Sequence, residues 1–237
     1  RMLPANAGVP AEVETTDDVN RMLGAVGKDA KAALTQIADD GKFIELKAEY
    51  GKEMITGLLS IDGTVVGAVA NSEDGILSTA GCKKAEQFVY FCDSFGLPVV
   101  TLTNVEGYAS EMEEEKTISQ AVADMTYAFA SAEVPRINVI TGNAYGSSYV
   151  SMNSRHIGAD LVLALDTANV GVMDAKVAGQ VLSEDGDKAA AAEKAKEFDA
   201  LQKGADAAAR RGYVDNVIEG ASLRKHLVYA LQMFGMR

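Results

Sequence analysis

A strand that runs directly into a glycine turn and then a helix limits most strongly how this chain can fold. The feature lies at 134–160, which reads VPRINVITGNAYGSSYVSMNSRHIGAD. The β-branched run from Ile137 to Thr141 has the apolar spacing of a buried strand. Gly146 lets the backbone turn, and Ser147 or Ser148 can cap the helix that follows. Because the first N–H groups of a helix have no intrahelical partner, this turn suits an oxygen that carries negative charge, and we expect the protein's chemistry here.

Strands alternate with helices over the rest of the chain, which predicts one α/β domain with largely parallel strands. Its 237 residues, 48% of them hydrophobic, are enough for a sizeable core. The predicted strands are 42–46, 54–61, 64–71, 99–104, 137–141, 161–165, 169–172 and 214–218, with a hairpin turn at Asp62-Gly63. The predicted helices are 29–39, 82–95, a long helix opened by the acidic run 111–115, and then 174–182, 188–202, 205–211 and 223–234. Loops are predicted at 71–81 and 183–187.

The N-terminal segment 1–28 is polar and contains Pro4 and Pro10, so we expect an extended arm. It lacks the apolar segment of a signal peptide, and position 1 is not methionine, which indicates a piece cut from a longer chain. No apolar run approaches the ~18 residues of a membrane span. Cys82 and Cys92 are too far apart for a metal pair and are typical of reduced thiols, so we expect a cytoplasmic protein with no metal site. The net charge of −12 argues against a nucleic-acid partner.

Six segments, in order along the chain, resemble biotin-dependent carboxyltransferases. They are 64–71 (TVVGAVAN), 84–89 (KAEQFV), 97–101 (LPVVT), 144–146 (AYG), 156–160 (HIGAD) and 209–215 (ARRGYVD). The chain is most similar to the C-terminal domain of the carboxyltransferase subunit of acyl-CoA carboxylases and sodium-pumping acyl-CoA decarboxylases, and the similarity covers nearly all of 1–237. This resemblance implies a crotonase (ClpP-like) fold, which is a spiral of ββα units.

The resemblance also implies a function, the transfer of a carboxyl group between carboxybiotin and an acyl-CoA, in a carboxylase or in reverse in a decarboxylase. In such enzymes an N-terminal domain mainly holds the acyl-CoA, and the C-terminal domain mainly holds biotin on a carboxyl carrier protein. The partners implied for this chain are therefore acyl-CoA, a biotin carboxyl carrier protein, an N-terminal carboxyltransferase domain and further copies of itself.

The resemblance assigns roles to residues of two glycine loops. Backbone amides at Gly146, Ser147 and Ser148 would form an oxyanion hole, in which each donor contributes ~3–4 kcal/mol. The residues implied to contact the cofactor are Gly107, Tyr108, Tyr145, Tyr149 and Val150. This chain departs from the family pattern at two places, because Ser147 replaces a second glycine and Glu106 replaces a proline. Val150 occupies a position that is usually acidic or branched apolar in the family and faces the acyl pocket.

Other interpretations of the same residues remain open at this point. A strand-to-helix connection can need small residues for packing alone. Ser148 could act as a nucleophile with His156 as its base, although no glycine closes a nucleophile elbow here. At the level of the whole chain, the alternatives are a crotonase-like acyl-CoA hydrolase or isomerase, and a non-catalytic scaffold half. The helix 188–202 has too little apolar face to be a core helix, which indicates a solvated helix or one that lies on a partner.

Overall fold

One mixed sheet covered by helices forms the body of the protein. The computed structural model describes residues 2–6, 9–27, 29–72, 74–183, 187–202 and 204–235. The strands of this part are β1 (Ile44–Leu46), β2 (Met54–Ile61), β3 (Thr64–Asn71), β4 (Ile76–Leu77), β5 (Val99–Val105), β6 (Gly107–Tyr108), β7 (Arg136–Tyr145), β8 (Leu161–Leu165), β9 (Asn169–Gly171) and β10 (Asn216–Ile218). Its helices are α1 (Ala30–Ile37), α2 (Thr79–Ser94), α3 (Met112–Glu115), α4 (Ile118–Ser131), α5 (Gly146–Ser151), α6 (Ala175–Leu182), α7 (Lys188–Gln202), α8 (Ala205–Arg210) and α9 (Leu223–Phe234).

The prediction of a largely parallel sheet is confirmed. The strand order is β1-β2-β3-β5-β7-β8-β10, and β9 pairs with the last residues of β7. The pairs β1–β2 and β2–β3 are antiparallel, whereas β3, β5, β7, β8 and β10 run parallel to one another. The hairpin turn at Asp62 and Gly63 is confirmed, with φ of 51° and 79°. The parallel strands therefore end at one common edge, where the glycine loops emerge.

Helix α2 packs closely on the sheet at a glycine of β3. A Cβ atom on Gly67 would overlap the Sγ atom of Cys92, so the absence of a side chain lets the helix approach the strand. Cys82 and Cys92 are both buried free thiols. Burial raises the pKa of each thiol to about 12, so both remain protonated. The two cysteines thus act as small core residues.

The predicted arm is joined to the last helix by a buried cation. In the described parts 2–6 and 9–27 it has no helix, and its β contact is a single bridge from Glu12 to Thr64. Arg224 on α9 is fully buried, and it donates to the carbonyl of Asp18 in the arm at 3.4 Å, to the carbonyl of Ile37 at 2.6 Å and to Asp39 at 2.7 Å. Positions 1, 7, 8 and 28 of the arm, and 184–186 of the predicted loop 183–187, lie outside the described residues.

The long helix predicted from the acidic run is wrong in one respect, because two helices form with a break between them. Helix α3 ends at Glu115 and α4 begins at Ile118. The side chain of Glu114 accepts a hydrogen bond from the backbone N–H of Thr79 at 2.7 Å, and the hydroxyls of Thr79 and Thr117 are 2.9 Å apart. These hydrogen bonds hold the break between α3 and α4 against the start of α2. The predicted loop 71–81 is also wrong in part, because this segment contains β4 and the first turn of α2.

Helices α6 and α7 form a hairpin beside the glycine loops. A Cβ atom on Gly179 would lie 2.8 Å from the Cβ atom of Ala195, so small residues allow the two helices to touch. The alanine-rich helix α7 therefore packs on α6 within this chain, and its composition needs no external partner to explain it. Within the described residues, no helix is both long and apolar enough to cross a bilayer.

Candidate active site

Two neighbouring cavities meet at the start of α5, where β7 ends. The smaller measures about 380 Å³ and the larger about 690 Å³. Gly146, Ser147 and Val172 line both cavities, so these three residues form a common wall between them. The strand-to-helix turn found in the sequence therefore lies at the centre of the cavity system.

The structure brings all the sequence-predicted site residues to this pair of cavities. The residues that line the smaller cavity are Gly107, Tyr108, Tyr145, Gly146, Ser147 and Ser148. Tyr149 and Val150 line the larger cavity, together with Gly146 and Ser147. The two glycine loops thus face each other across the smaller cavity, although about forty positions of sequence separate them. Their catalytic and cofactor-binding roles remain predictions.

The turn itself depends on the backbone conformation of Gly146. Its φ is 57°, a region that side chains other than glycine rarely adopt, and a Cβ atom there would lie 3.0 Å from the carbonyl oxygen of Val172. Helix α5 begins at this residue, with Tyr145 as its N-cap and no side-chain capping bond. The expectation that Ser147 or Ser148 caps the helix is therefore wrong. Ser148 lies inside the first turn, and its hydroxyl donates to the carbonyl of Tyr145 at 2.8 Å.

The first turn of α5 lines the two cavities. In an α-helix the first four N–H groups lack an intrahelical acceptor, and here these include the amides of Gly146, Ser147 and Ser148. Ser147 is exposed and lines both cavities. Preorganised amides of this kind stabilise negative charge that develops on an oxygen. The geometry is thus suited to an oxyanion.

Gly107 contributes space rather than backbone flexibility. It forms β6 with Tyr108 and pairs in parallel with Ile76 of β4. Its φ is not in the left-handed region, and a Cβ atom on it would meet no heavy atom within 4 Å. Neither packing nor backbone strain therefore requires glycine here. The missing side chain leaves space in the smaller cavity, opposite Ser147 and Ser148.

Two tyrosines flank the common wall in neutral form. Burial raises the pKa of Tyr145 to about 12, with the nearby carboxylates of Asp174 and Glu106 adding to the shift. Burial likewise raises the pKa of Tyr149 to about 12, against a smaller opposing effect of Arg155. The Tyr149 hydroxyl is buried and has no hydrogen-bond partner among the described residues. A buried hydroxyl without a partner is energetically costly.

The structure does not bring Ser148 and His156 together. Ser148 lines the smaller cavity, and its proton is donated to the carbonyl of Tyr145. His156 lines the larger cavity and packs against the ring of Tyr213, with ring centroids 4.9 Å apart. The arrangement therefore does not favour a serine nucleophile activated by this histidine.

Sequence reasoning missed a group of asparagines behind the cavity. Asn71, Asn104, Asn143 and Asn169 come from four neighbouring strands and form successive hydrogen bonds of 3.2, 3.0 and 3.0 Å. Asn71 ends β3, Asn104 is the last but one residue of β5, Asn143 lies two residues before the end of β7, and Asn169 begins β9. The signal in the sequence is the asparagine at the carboxyl ends of β3 and β5, since the carboxyl ends of parallel strands meet at one edge.

Both the sequence and the structure of this chain are similar to those of known proteins. Residues 2–235 match the family described as carboxyl transferase domain. The methylmalonyl-CoA carboxyltransferase 12S subunit of Propionibacterium freudenreichii subsp. shermanii is 36% identical over 93% of this chain and 44% of its own length. The propionyl-CoA carboxylase beta chain of Saccharopolyspora erythraea is 39% identical over 86% of this chain and 40% of its own length. This chain thus spans less than half the length of these relatives.

Solved structures of a transcarboxylase and of a carboxylase subunit are also similar to this chain. A transcarboxylase 12S hexamer with methylmalonyl-coenzyme A and methylmalonic acid bound has a TM-score of 0.93 and 35% identity, covering 100% of this chain and 49% of the other. The beta subunit of geranyl-CoA carboxylase from P. aeruginosa shares the fold, with a TM-score of 0.83 and 24% identity. The match covers 99% of this chain and 47% of the length of that subunit. The crotonase-like fold implied by the sequence is confirmed.

Proposed function

Because this chain belongs to the carboxyl transferase family, we propose that it forms the biotin-side half of an acyl-CoA carboxyltransferase. It would transfer a carboxyl group between biotin and an acyl-CoA, in a carboxylase or in a decarboxylase. Relatives of both kinds exist, since the methylmalonyl-CoA decarboxylase subunit alpha of Veillonella parvula is 36% identical over 88% of this chain.

The observation that carries the proposal is the meeting of the two glycine loops at one cavity. The amides of Ser147 and Ser148 lie at the start of α5, and Gly107 leaves open the space opposite them. Carboxyl transfer of this kind needs no strong side-chain acid or base, because its main demand is the stabilisation of negative charge on oxygen. Backbone donors on a rigid strand-to-helix turn meet that demand.

The residues present fit biotin. The open volume beside Gly107 and the positive φ of Gly146 leave room for a flat polar ring next to backbone N–H groups. When bound, biotin supplies the carrier of the carboxyl group. Amides of Gly146, Ser147 and Ser148 would hold its ureido oxygen. Tyr108 and Tyr145 would flank the ring from the smaller cavity, while Tyr149 and Val150 would line the side on which the acyl group approaches.

The wider assembly also belongs to the proposal. Since the relatives are about twice as long as this chain, an amino-terminal carboxyltransferase half would complete the acyl-CoA site. Biotin would arrive on a carboxyl carrier protein. We also propose self-association, which the hexamer of the transcarboxylase 12S neighbour supports. Cytoplasmic location is proposed from the two buried free thiols.

A transfer assay with separated components tests the function. The chain is coexpressed with an amino-terminal carboxyltransferase half and assayed with biotinylated carrier and propionyl-CoA or methylmalonyl-CoA. We expect transfer by the pair and none by this chain alone, because one half supplies only part of the oxyanion stabilisation. Robust decarboxylation of methylmalonyl-CoA by this chain alone would contradict the proposal.

Two further measurements separate the alternatives. Hydrolysis of short acyl-CoAs by this chain, without biotin, would favour the hydrolase interpretation. Absence of biotin binding in a titration, with the pair inactive, would favour a scaffold half. Sedimentation at high protein concentration tests self-association, and a strict monomer would count against it.

A further inference from the structure

The sheet contains an irregular step where β5 and β7 reach the cavity. Thr103 is paired with Ile140, but Val105 is paired with Ala144, so β7 has two more residues than β5 over this interval. The side chain of Asn104 fills the step. Its Oδ1 atom accepts a hydrogen bond from the backbone N–H of Asn143 at 3.0 Å.

Gly142 makes this insertion possible. A Cβ atom on Gly142 would lie 2.9 Å from Cγ of Asn104 and closer still to its Oδ1 atom. The Nδ2 group of Asn104 donates to the carbonyl of Ser72 at 3.2 Å, which fixes the orientation of the amide. The backbone of Asn143 is therefore held at a defined place, three residues before the turn at Gly146.

From this place the side chain of Asn143 reaches the other walls of the smaller cavity. Its Oδ1 atom accepts from Nδ2 of Asn169 at 3.0 Å, and Asn169 opens β9, which leads to Val172 of the common wall. Its Nδ2 group donates to the carboxylate of Glu106, in the loop immediately before Gly107. One side chain thus connects the loop of Gly107, the turn of Gly146 and the strand that leads to Val172.

We propose that Asn143 and Glu106 are a positioning pair that sets the distance between the two glycine loops, an inference that rests on the proposed function. Glu106 lines the smaller cavity beside Gly107, and its backbone N–H donates to the carbonyl of Gly75 at 2.7 Å. A hydrogen bond to a carboxylate is stronger than one between neutral groups, so it holds the Gly107 loop against β7. The pair acts on the reaction through the backbone donors and does not itself exchange protons with the substrate.

A hydrogen-bond reversal tests the pair in the enzyme assembled with its amino-terminal half. Asn143→Asp places two carboxylates against each other, and we expect kcat to fall about 100-fold, as for a misplacement of about 1 Å. KM for acyl-CoA should stay within about threefold. In the double variant Asn143→Asp with Glu106→Gln, the new side-chain amide at position 106 can donate to the new carboxylate at position 143. We expect kcat to recover to within about tenfold of the parent enzyme.

Two further variants complete the double-mutant cycle of positions 143 and 106. Glu106→Gln alone gives the second single-variant value that the cycle needs, and Glu106→Ala removes the carboxylate that accepts the hydrogen bond from Asn143. Glu113→Ala is the matched control, because Glu113 is another exposed glutamate with one side-chain hydrogen bond, to Lys116, away from the cavities. Additive losses in the double variant, with no recovery, would overturn the proposal. So would variants that lower only the unfolding midpoint and leave kcat unchanged at a temperature where all are folded.

A spectroscopic measurement keeps this inference separate from the function. The side-chain amide signal of Asn143 in ¹H–¹⁵N spectra of the full chain is identified by its loss in Asn143→Asp. We expect it to move in Glu106→Ala and to stay in place in Glu113→Ala. If the parent enzyme transfers no carboxyl group, the proposed function fails, yet this shift still decides whether the pair exists. An unmoved signal in Glu106→Ala would refute the pair whatever the activity.

Discussion

Arg224 donates a hydrogen bond to Asp39 at 2.7 Å across 185 positions of sequence. Both side chains are buried, and the same guanidinium also donates to the carbonyl of Ile37. Asp39 further accepts from the backbone N–H groups of Asp62 and Gly63, both at 2.9 Å. The first helix, the β2–β3 hairpin and the last helix are therefore joined at one carboxylate.

Replacement of this cation should strongly destabilise the fold. Arg224→Met leaves the Asp39 carboxylate buried without its charged partner, so we expect a loss of about 3–5 kcal/mol in the free energy of unfolding. Urea unfolding followed by circular dichroism measures it. Lys225→Met is the matched control, because Lys225 is the next residue of α9 and is exposed. A loss below about 1 kcal/mol in Arg224→Met would show that the pair contributes little.

Acid should weaken the attachment of the arm. The hydrogen bond from Arg21 lowers the pKa of Asp17 to about 2 against the opposing effect of burial. A carboxyl group with a lowered pKa contributes stability that is complete above its unfolded pKa of about 3.9 and is lost as the pH falls toward 2. We expect this contribution to be about 1–2 kcal/mol after solvent screening.

Unfolding free energies measured between pH 7 and pH 2 test this dependence. Asp17→Asn should be less stable than the parent at pH 7 and should show a shallower decline between pH 4 and pH 2. Asp166→Asn is the control, since Asp166 is exposed. Parallel curves for the parent and Asp17→Asn would mean that Asp17 is not the group responsible.

The oxyanion turn should depend on its backbone path and not on a serine hydroxyl. Gly146→Val should abolish transfer, because a β-branched residue resists a φ of 57° and would meet the carbonyl of Val172. Ser148→Ala should leave activity within several-fold, since its amide is unchanged. A nucleophilic serine would give the opposite order, with Ser148→Ala losing several orders of magnitude. Circular dichroism must show that both variants are folded before rates are compared.

Gly107 should be needed for the ligand and not for the fold. Gly107→Ala places a methyl group in open space, so we expect the free energy of unfolding to stay within about 0.5 kcal/mol. Activity should fall at least about tenfold, because the methyl group enters the smaller cavity opposite the amides. Gly27→Ala is the control, since its Cβ atom would also meet no heavy atom within 4 Å but Gly27 is in the arm. Full activity in Gly107→Ala would remove this loop from the site.

Local pattern was sufficient to predict much of the fold. The strands β2, β3 and β8 and the helix α9 have the predicted bounds, because apolar periodicity and turn residues define such elements within a short window. The break between α3 and α4 could not be predicted. It depends on Glu114 reaching the N–H of Thr79, a contact made only after the chain has folded.

The sequence identified the loops that form the site but not their conformations or the contacts between them. Gly146 was identified because a glycine between a strand and a helix has a local meaning. The sequence did not indicate that α5 begins at Gly146 itself, with Tyr145 as its N-cap and no serine cap. Similarly, nothing in the spacing of Glu106 and Asn143 indicates that an irregular step between two strands brings them together.

The wall of Gly146, Ser147 and Val172 has a thermodynamic consequence, because it is common to two cavities. A ligand in one cavity that displaces this wall reduces the volume of the other cavity. Linkage then requires reciprocity, so the factor by which the first ligand changes the affinity of the second equals the factor by which the second changes the affinity of the first. Ligand binding in the two cavities would thus be coupled through the three residues of the common wall. Titration of each ligand in the presence of the other gives two independent measurements of the same coupling constant.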